Sequence, residues 1–196
     1  MTETKTEGGT GLKRPSPLLT IDSKLSLSLL SLSEAEEIFN VVEENRTYLR
    51  RTLPWLDEVN SLSEKISYIS HCISDYEANK GIMYSIILDG EIIGTIGLNW
   101  IDHENKSCGV GYWVSEECTR KGIATRCCSR LMEHCFNDLN LHRFVLEATV
   151  ENIPSCRVAE KLGLRLEGVT KDREWLYDRY VDANLYAITK PEWTRS

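Results

Sequence analysis

Two apolar runs on either side of Asp89-Gly90 constrain this chain more than any other stretch. Residues 82–88 read Ile-Met-Tyr-Ser-Ile-Ile-Leu and residues 91–98 read Glu-Ile-Ile-Gly-Thr-Ile-Gly-Leu. An Asp-Gly pair accepts the positive φ angles of a tight turn, and runs rich in Ile favour extended backbone. They predict an antiparallel hairpin, and every other element has to be placed around it. Residues 25–30 alternate Leu with Ser, the period of a half-buried strand. Residues 106–114 make a further strand in which Gly109 and Gly111 mark a twist or bulge. Residues 143–150 make a buried strand, and residues 164–169 and 180–188 two last strands around an exposed turn.

Helical segments interrupt the strands. Ser33-Glu-Ala-Glu36 matches a capping box, in which a hydroxyl and a carboxylate satisfy the free N–H groups of a first turn. The helix it opens carries Ile38, Val41 and Val42 on one face. A second helical piece over residues 47–51 should stop before Leu53-Pro54, because residues ahead of Pro avoid the helical region. Ser61-Leu-Ser-Glu64 is another capping box, followed at helical spacing by Ile66, Ile69, Ile73 and Tyr76. A long helix is expected from Gly122 to about Asn140, and a short one from Pro154 to Leu162, closed by Gly163. With no repeat and no linker, the chain reads as one α+β domain.

Composition removes several function classes. Lys and Arg total 23 against 30 Asp and Glu, a net charge of -7, which argues against a nucleic-acid binder relying on a basic face. It suits a basic or amine-bearing partner. No apolar stretch approaches the ~18 residues of a membrane span. Seven Cys without a C-x-x-C pair fit free thiols in a reducing cytoplasm, and the four scattered His give no zinc-type spacing, so no metal is expected. Residues 1–17 are rich in Thr, Gly, Lys and Ser and lack an apolar core segment. They are expected to be a disordered arm, not a targeting segment, leaving a domain over residues 18–193.

The stretch that carries chemistry is Thr119-Arg-Lys-Gly122-Ile-Ala124-Thr125, set between a strand and a helix. A helix start exposes unpaired N–H groups and the positive end of the dipole, and small residues let a phosphate reach the backbone. This is a candidate pyrophosphate cradle, with Arg120, Lys121 and Arg126 adding charge. The alternative is a solvated basic helix start. There is neither a complete Walker A pattern nor a G-x-G-x-x-G, which counts against nucleotide hydrolysis and dinucleotide redox chemistry.

Residues 111–125 resemble the acyl-CoA signature of the GNAT N-acetyltransferase superfamily. Asn152-Ile-Pro-Ser155, Glu160-Lys-Leu-Gly-Leu164, Leu166-Glu-Gly168 and Asp182-Ala-Asn-Leu-Tyr186 resemble its C-terminal half. Their order and spacing, with Thr52-Leu-Pro-Trp-Leu56, are similar to the RimL-like branch, which acetylates the N-terminal amine of a ribosomal protein. The likeness runs from about residue 25 to 186. One departure stands in the signature: Thr119 replaces the usual Gln or Arg, and Arg120 a position that is often Gly.

The resemblance implies a layered αβα domain. Its central sheet is mixed, mostly antiparallel and of about seven strands, splayed between the fourth and fifth, with helices on both faces. It implies acetyl-CoA as acyl donor, with pantetheine slotted between residues 108–115 and 143–150. Main-chain groups of Tyr112, Trp113, Val114 and Ser115 would pair with the pantetheine amides, an N–H near Val114 polarising the thioester carbonyl. Backbone N–H groups of Lys121, Gly122, Ile123, Ala124, Thr125 and Arg126 would hold the pyrophosphate, and Asn152 the pantetheine arm. Glu174 lies where the branch places a general base, and Ser155 where it has a Ser thought to protonate the departing sulfur.

Other roles compete for these residues. Glu147 and Asp182 are rival carboxylates. Ser155 and Asn152 are also plausible helix caps. Cys118, without a His neighbour in sequence, is read as incidental, and Trp100, Trp113 and Tyr112 as core or cleft wall. Trp55 is read either as bordering the acceptor site or as a plug between helices. The expected activity is direct transfer of acetyl from acetyl-CoA to a primary amine, a protein N-terminal amine first. A small amine such as a polyamine, amino sugar or antibiotic is the alternative, and a catalytically inactive CoA-binding module the second. The expected protein is cytoplasmic, a monomer or homodimer, without direct nucleic-acid or membrane binding.

Overall fold

A computed structural model describes residues 15–194. The chain runs β1 (Leu18–Thr20), β2 (Leu25–Leu29), α1 (Ala35–Leu49), α2 (Leu62–Glu77), β3 (Ile82–Leu88), β4 (Glu91–Asp102) and β5 (Ser107–Val114). It continues through α3 (Ile123–Asn137), β6 (Arg143–Thr149), α4 (Ile153–Lys161), β7 (Arg165–Leu176), β8 (Arg179–Thr189) and α5 (Lys190–Trp193). The strands form one eight-stranded sheet in the order β1-β2-β3-β4-β5-β6-β8-β7. Every adjacent pair is antiparallel except β5–β6. The Asp89-Gly90 hairpin forms as the sequence predicts, with positive φ at both residues.

The sheet has one strand more than expected. β1 is too short to show a period, and it is held by Leu19, which is buried, and by pairing to β2. Ahead of it, the Ser16 carbonyl accepts the Tyr84 hydroxyl at 2.9 Å and the Pro17 carbonyl accepts the Leu29 N–H at 2.8 Å. The first 14 residues of the expected disordered arm lie outside the described residues.

Two cores flank the sheet. On one face α3 contributes Leu131, Met132, Cys135 and Phe136, packed on Tyr84, Ile96, Cys108, Phe144 and Leu146. On the other, Ile38, Val42 and Leu49 of α1 and Ile69 of α2 meet Ile92 and Trp113. Each such large side chain taken fully out of water stabilises the fold by about 1.5–3 kcal/mol. The first capping box sits two residues earlier than read: the Ser31 N–H donates to Glu34 at 2.7 Å, because Ser31-x-x-Glu34 satisfies the same pattern directly after β2. The second forms as read, the Glu64 N–H donating to the Ser61 hydroxyl. The two helical pieces before Pro54 are one helix, α1.

Past α1, residues 54–58 form a 3-10 turn. The Arg46 guanidinium donates to the carbonyls of Leu56 at 2.7 Å and Val59 at 2.5 Å, and Arg50 is paired with Asp57 at 2.8 Å. Arg46 of α1 and Arg50 directly after it thus tie this turn and the residue that follows it back to the helix. No helix of the described residues is long and apolar enough to cross a membrane.

Candidate active site

The sheet is split where chemistry was expected. β5 and β6 pair in parallel only from Ser107↔Arg143 to Val110↔Leu146. Beyond that, Gly111 to Val114 continue against β4, and Glu147 to Thr149 continue against β8. The splay therefore lies between the fifth and sixth strands of this sheet, one place later than expected because β1 precedes them. A backbone that stops pairing in mid-sheet leaves donors and acceptors for another chain-like partner. The Ser115 N–H donates to the Ile93 carbonyl at 2.7 Å. Antiparallel alternation then turns Trp113 toward β4 as well, and turns the main-chain groups of Tyr112 and Val114 into the gap. Ser115 is 4% exposed, and its hydroxyl has no hydrogen-bond partner among the described residues.

The start of α3 lies after β5. Its N-cap, Gly122, has φ +76°, Arg120 has φ +58°, and no side chain of the described residues caps the helix. A methyl group added at Gly122 would meet no atom within 4 Å, so the helix start is open at this residue. Ile123 is buried as an anchor in the core, whereas Lys121 and Gly122 are exposed and Ala124 and Thr125 half-buried. Arg126 differs from its neighbours. Its N–H donates to the Gly122 carbonyl within the helix, and its guanidinium is ion-paired with Asp22. Open strand edges in the gap and an uncapped helix start fit the long amide arm and the diphosphate of a coenzyme A.

A cavity of about 460 Å³ extends from the gap. Gly109 to Trp113 and Val145 to Thr149 form its floor, with Asn152, Ser155, Glu174, Trp55 and Lys65 among its walls. Asn152 caps α4: its side-chain oxygen accepts the Ser155 N–H at 3.2 Å. Ser155 is thus not the cap but the residue capped. Its hydroxyl lies 2.9 Å from the Tyr112 hydroxyl, and burial holds the proton on that phenol far above the ordinary range.

The carboxylates are separated by their surroundings. Residues 171–177, read as part of an exposed turn, are mostly strand. β7 runs on to Leu176 through a register shift between Thr170 and Glu174, and the turn is only Tyr177-Asp178. The shift brings Glu174 opposite Val181 and half-buries it in the cavity wall. Burial raises its pKa; Arg173 lowers it and Glu147 raises it. Glu147 is paired with Arg173 at 2.6 Å. Asp182 is tied to Lys171 at 2.6 Å and accepts the Asp172 N–H, which holds its pKa low, and it does not line the cavity. Cys118 is buried in the main core and also lies off the cavity wall.

The far wall was only partly read. Trp55 stacks on Tyr68 with centroids 6.4 Å apart and planes within 7°. Beside them lies Lys65, 1% exposed, with its Nζ 4.9 Å from the Trp55 ring centroid and 5.2 Å from that of Tyr68. The turn of the β7–β8 hairpin closes on this wall. The Tyr177 hydroxyl donates to the Leu53 carbonyl at 2.5 Å, and the Arg50 guanidinium lies 3.7 Å over the Tyr177 ring. Sequence reasoning missed Lys65, the Tyr112 hydroxyl and this tether. The sequence signal for Lys65 was its helical spacing of four from Ile69, on the buried face of α2. Among the described residues no group of three or more His, Cys, Asp or Glu is placed to hold a metal ion.

Comparison with known proteins agrees with this geometry. Residues 24–165 match the acetyltransferase (GNAT) domain family. The chain is 30% identical over 169 residues to a ribosomal-protein-serine acetyltransferase of Escherichia coli (strain K12), covering 86% of this chain and 94% of that one. Among solved structures, the RimL ribosomal L7/L12 alpha-N-protein acetyltransferase in complex with coenzyme A superposes with a TM-score of 0.85. It is 28% identical, covering 88% of this chain and 97% of that one. The microcin C7 self immunity acetyltransferase MccE, in complex with acetyl-CoA and AMP, has a TM-score of 0.83 and 29% identity, covering 87% and 98%.

Proposed function

Because the chain belongs to the GNAT acetyltransferase family and is an acetyl-CoA-dependent N-acetyltransferase, we propose that its acceptor is the N-terminal α-amine of a protein, with Glu174 as base and Ser155 as acid. One observation carries the assignment of roles: a single cavity joins the β5–β6 gap to a half-buried carboxylate and a paired hydroxyl. The acceptor is favoured by the relatives that modify ribosomal-protein N-termini.

Bound acetyl-CoA supplies a thioester carbon open to attack. Val114 donates its N–H to the thioester oxygen, and charge developing there is worth several kcal/mol to such a donor in a dry site. Tyr112 offers its main-chain groups to the pantetheine amides. Trp113 and Ser115 contribute less through their N–H groups, because these are turned to β4. Gly122, Ile123, Ala124 and Thr125 direct first-turn N–H groups at the pyrophosphate, with Lys121 beside them. The N–H of Arg126 is used within the helix, so this residue contributes charge only. Asn152 holds the start of α4 and, through it, Ser155.

The acceptor amine, with an ordinary pKa of ~7.7–8.0, arrives largely protonated. Glu174 removes a proton from it, directly or through a water. The nitrogen lone pair forms the C–N bond as the C–S bond breaks. Ser155 gives its proton to the sulfur and is reprotonated by Tyr112, which takes the second proton lost by the nitrogen; Glu174 releases the first to solvent. A base whose pKa is raised by burial is better matched to a neutral-pH amine than an ordinary carboxylate. Seven free thiols support a cytoplasmic location for this chemistry, and we assign it to a unit over residues 18–193.

The test is incubation of cell extract with the enzyme and labelled acetyl-CoA, followed by mass spectrometry of the acetylated products. Label on a protein N-terminus is the expected result. Label confined to small amines would replace this acceptor with the small-molecule one. Coenzyme A binding without release of thiol, over a broad amine and peptide panel, would leave only a binding module.

A further inference from the structure

Lys65 is the buried charge in the cavity that the transfer reaction does not use. It is 1% exposed, it contributes to the cavity wall with Thr52, Trp55 and Tyr68, and among the described residues no carboxylate pairs with it. Of the carboxylates on the same wall, Glu147 is taken by Arg173 and Glu174 is the proposed base; Glu43 acts on Lys65 through space but is itself paired with Arg46. The two aromatic faces at 4.9 and 5.2 Å compensate the ammonium only in part. A buried cation is costly unless an anion accompanies it. The cost rises when the cavity must also admit an amine, which brings positive charge of its own. An acceptor carrying an anion removes both penalties.

We propose that the Lys65 ammonium is a subsite for a carboxylate of the acceptor, placed a short span from the amine that is acetylated. Arg173, the guanidinium that lines the cavity, is committed to Glu147, and a single ammonium beside two stacked rings provides one point charge without a fork of donors. That matches a monoanionic carboxylate better than a phosphate. Trp55 and Tyr68 present flat apolar walls to the carbon chain between the two ends. Burial lowers the Lys65 pKa to about 8, which leaves the ammonium as the main form at neutral pH. This inference deepens the N-terminal-amine reading and rests on it in one respect: the carboxylate then belongs to an acidic side chain near the protein N-terminus. The same chemistry also describes the α-carboxylate of a free amino acid.

The experiment compares matched acceptors. Thiol release from acetyl-CoA is measured with peptides that begin with Ser and carry Glu or Gln at the second or third position, and separately with serine and serinamide. The wild-type enzyme is expected to favour the carboxylate member of one pair by about tenfold in KM, the scale of one charge-assisted hydrogen bond. Lys65→Met should collapse that ratio to near one, and Lys65→Arg should keep most of it. Preference within the peptide pairs assigns a side-chain carboxylate. Preference only for serine over serinamide keeps the subsite but overturns the protein N-terminus. Calorimetry of the same ligands with the coenzyme A complex gives the ratio without turnover. A wild-type preference below about twofold in both measurements, or one that persists in Lys65→Met, overturns the proposal.

Discussion

Ser155 and Tyr112 share one hydrogen bond of 2.9 Å, and a proton relay through it makes a specific kinetic demand. If the two hydroxyls serve one sulfur, removing either breaks the same path. Ser155→Ala and Tyr112→Phe should each lower kcat by about tenfold or more, and the double variant should lose little beyond the worse single one. Additive losses would separate the two groups. Glu174 makes a different demand, because its pKa is raised by burial. A carboxyl with a raised native pKa contributes stability below the ordinary carboxylate range and loses it as pH rises through the native value. At pH 7 its charge is therefore a cost to the fold. Glu174→Gln should cut kcat by about a hundredfold while leaving the melting temperature at pH 7 equal or higher. The wild-type kcat/KM profile should carry an acid limb from this carboxyl, and the variant should lose it. Unchanged turnover would remove Glu174 from the mechanism. Ser155 and Glu174 were legible only through the family likeness, since a Ser in a first turn and a Glu in a charged run usually cap or solvate. Lys65 was barely legible: helix spacing puts Tyr68 beside it, but its burial also depends on Trp55, which tertiary packing brings to it.

At the scale of elements, the start of α3 departs from its family where the backbone is most demanding. Arg120 holds φ +58°, a left-handed conformation that costs an L-residue roughly 1–2 kcal/mol. Gly escapes that cost but gives up about 0.5–1 kcal/mol of chain entropy. Arg120→Gly should therefore stabilise the free protein by roughly 0.5–1 kcal/mol, read as a rise of about 1–3 °C in Tm. A fall in Tm would mean that the exposed Arg120 side chain contributes more than its backbone costs. The same strand-to-helix step was well marked in the sequence, because Gly122 and the apolar period after it are local signals. The β7–β8 hairpin was marked poorly. Residues 171–174 are polar and lack a strand period, and they are carried into the sheet by their neighbours through an irregular register. That irregularity is what brings Glu174 to the cavity, so the least legible strand places the proposed base.

The whole molecule is a sheet held together on both faces and left open in its middle. α3 packs across β4 and β5, α1 and α2 cover the opposite face, and β6 is secured by β8, so β5 and β6 can part without loosening either half. The hairpin at residues 82–98 and the helices over it followed from local patterns. The parting was legible only through the family likeness, because no local pattern in residues 107–114 and 143–149 marks Val110 and Leu146 as the last paired residues. A bound pantetheine arm should complete the missing ladder, and only at particular amides. The N–H groups of Tyr112 and Val114 should exchange with solvent at least about tenfold more slowly in the coenzyme A complex, whereas that of Ser115, already bonded to Ile93, should change little. At 100 times Kd the cofactor should add about 2.7 kcal/mol of stability, a rise of about 5–10 °C in Tm. Ala124→Asp separates this linkage from folding. A carboxylate in the first turn of α3 interacts favourably with the helix dipole, so the free variant should melt at or slightly above the wild-type temperature. The same charge repels a diphosphate, so the cofactor-dependent rise and the slowed exchange at Val114 should both disappear. If that variant keeps either response, the diphosphate is held elsewhere and the helix start is only a solvated basic turn.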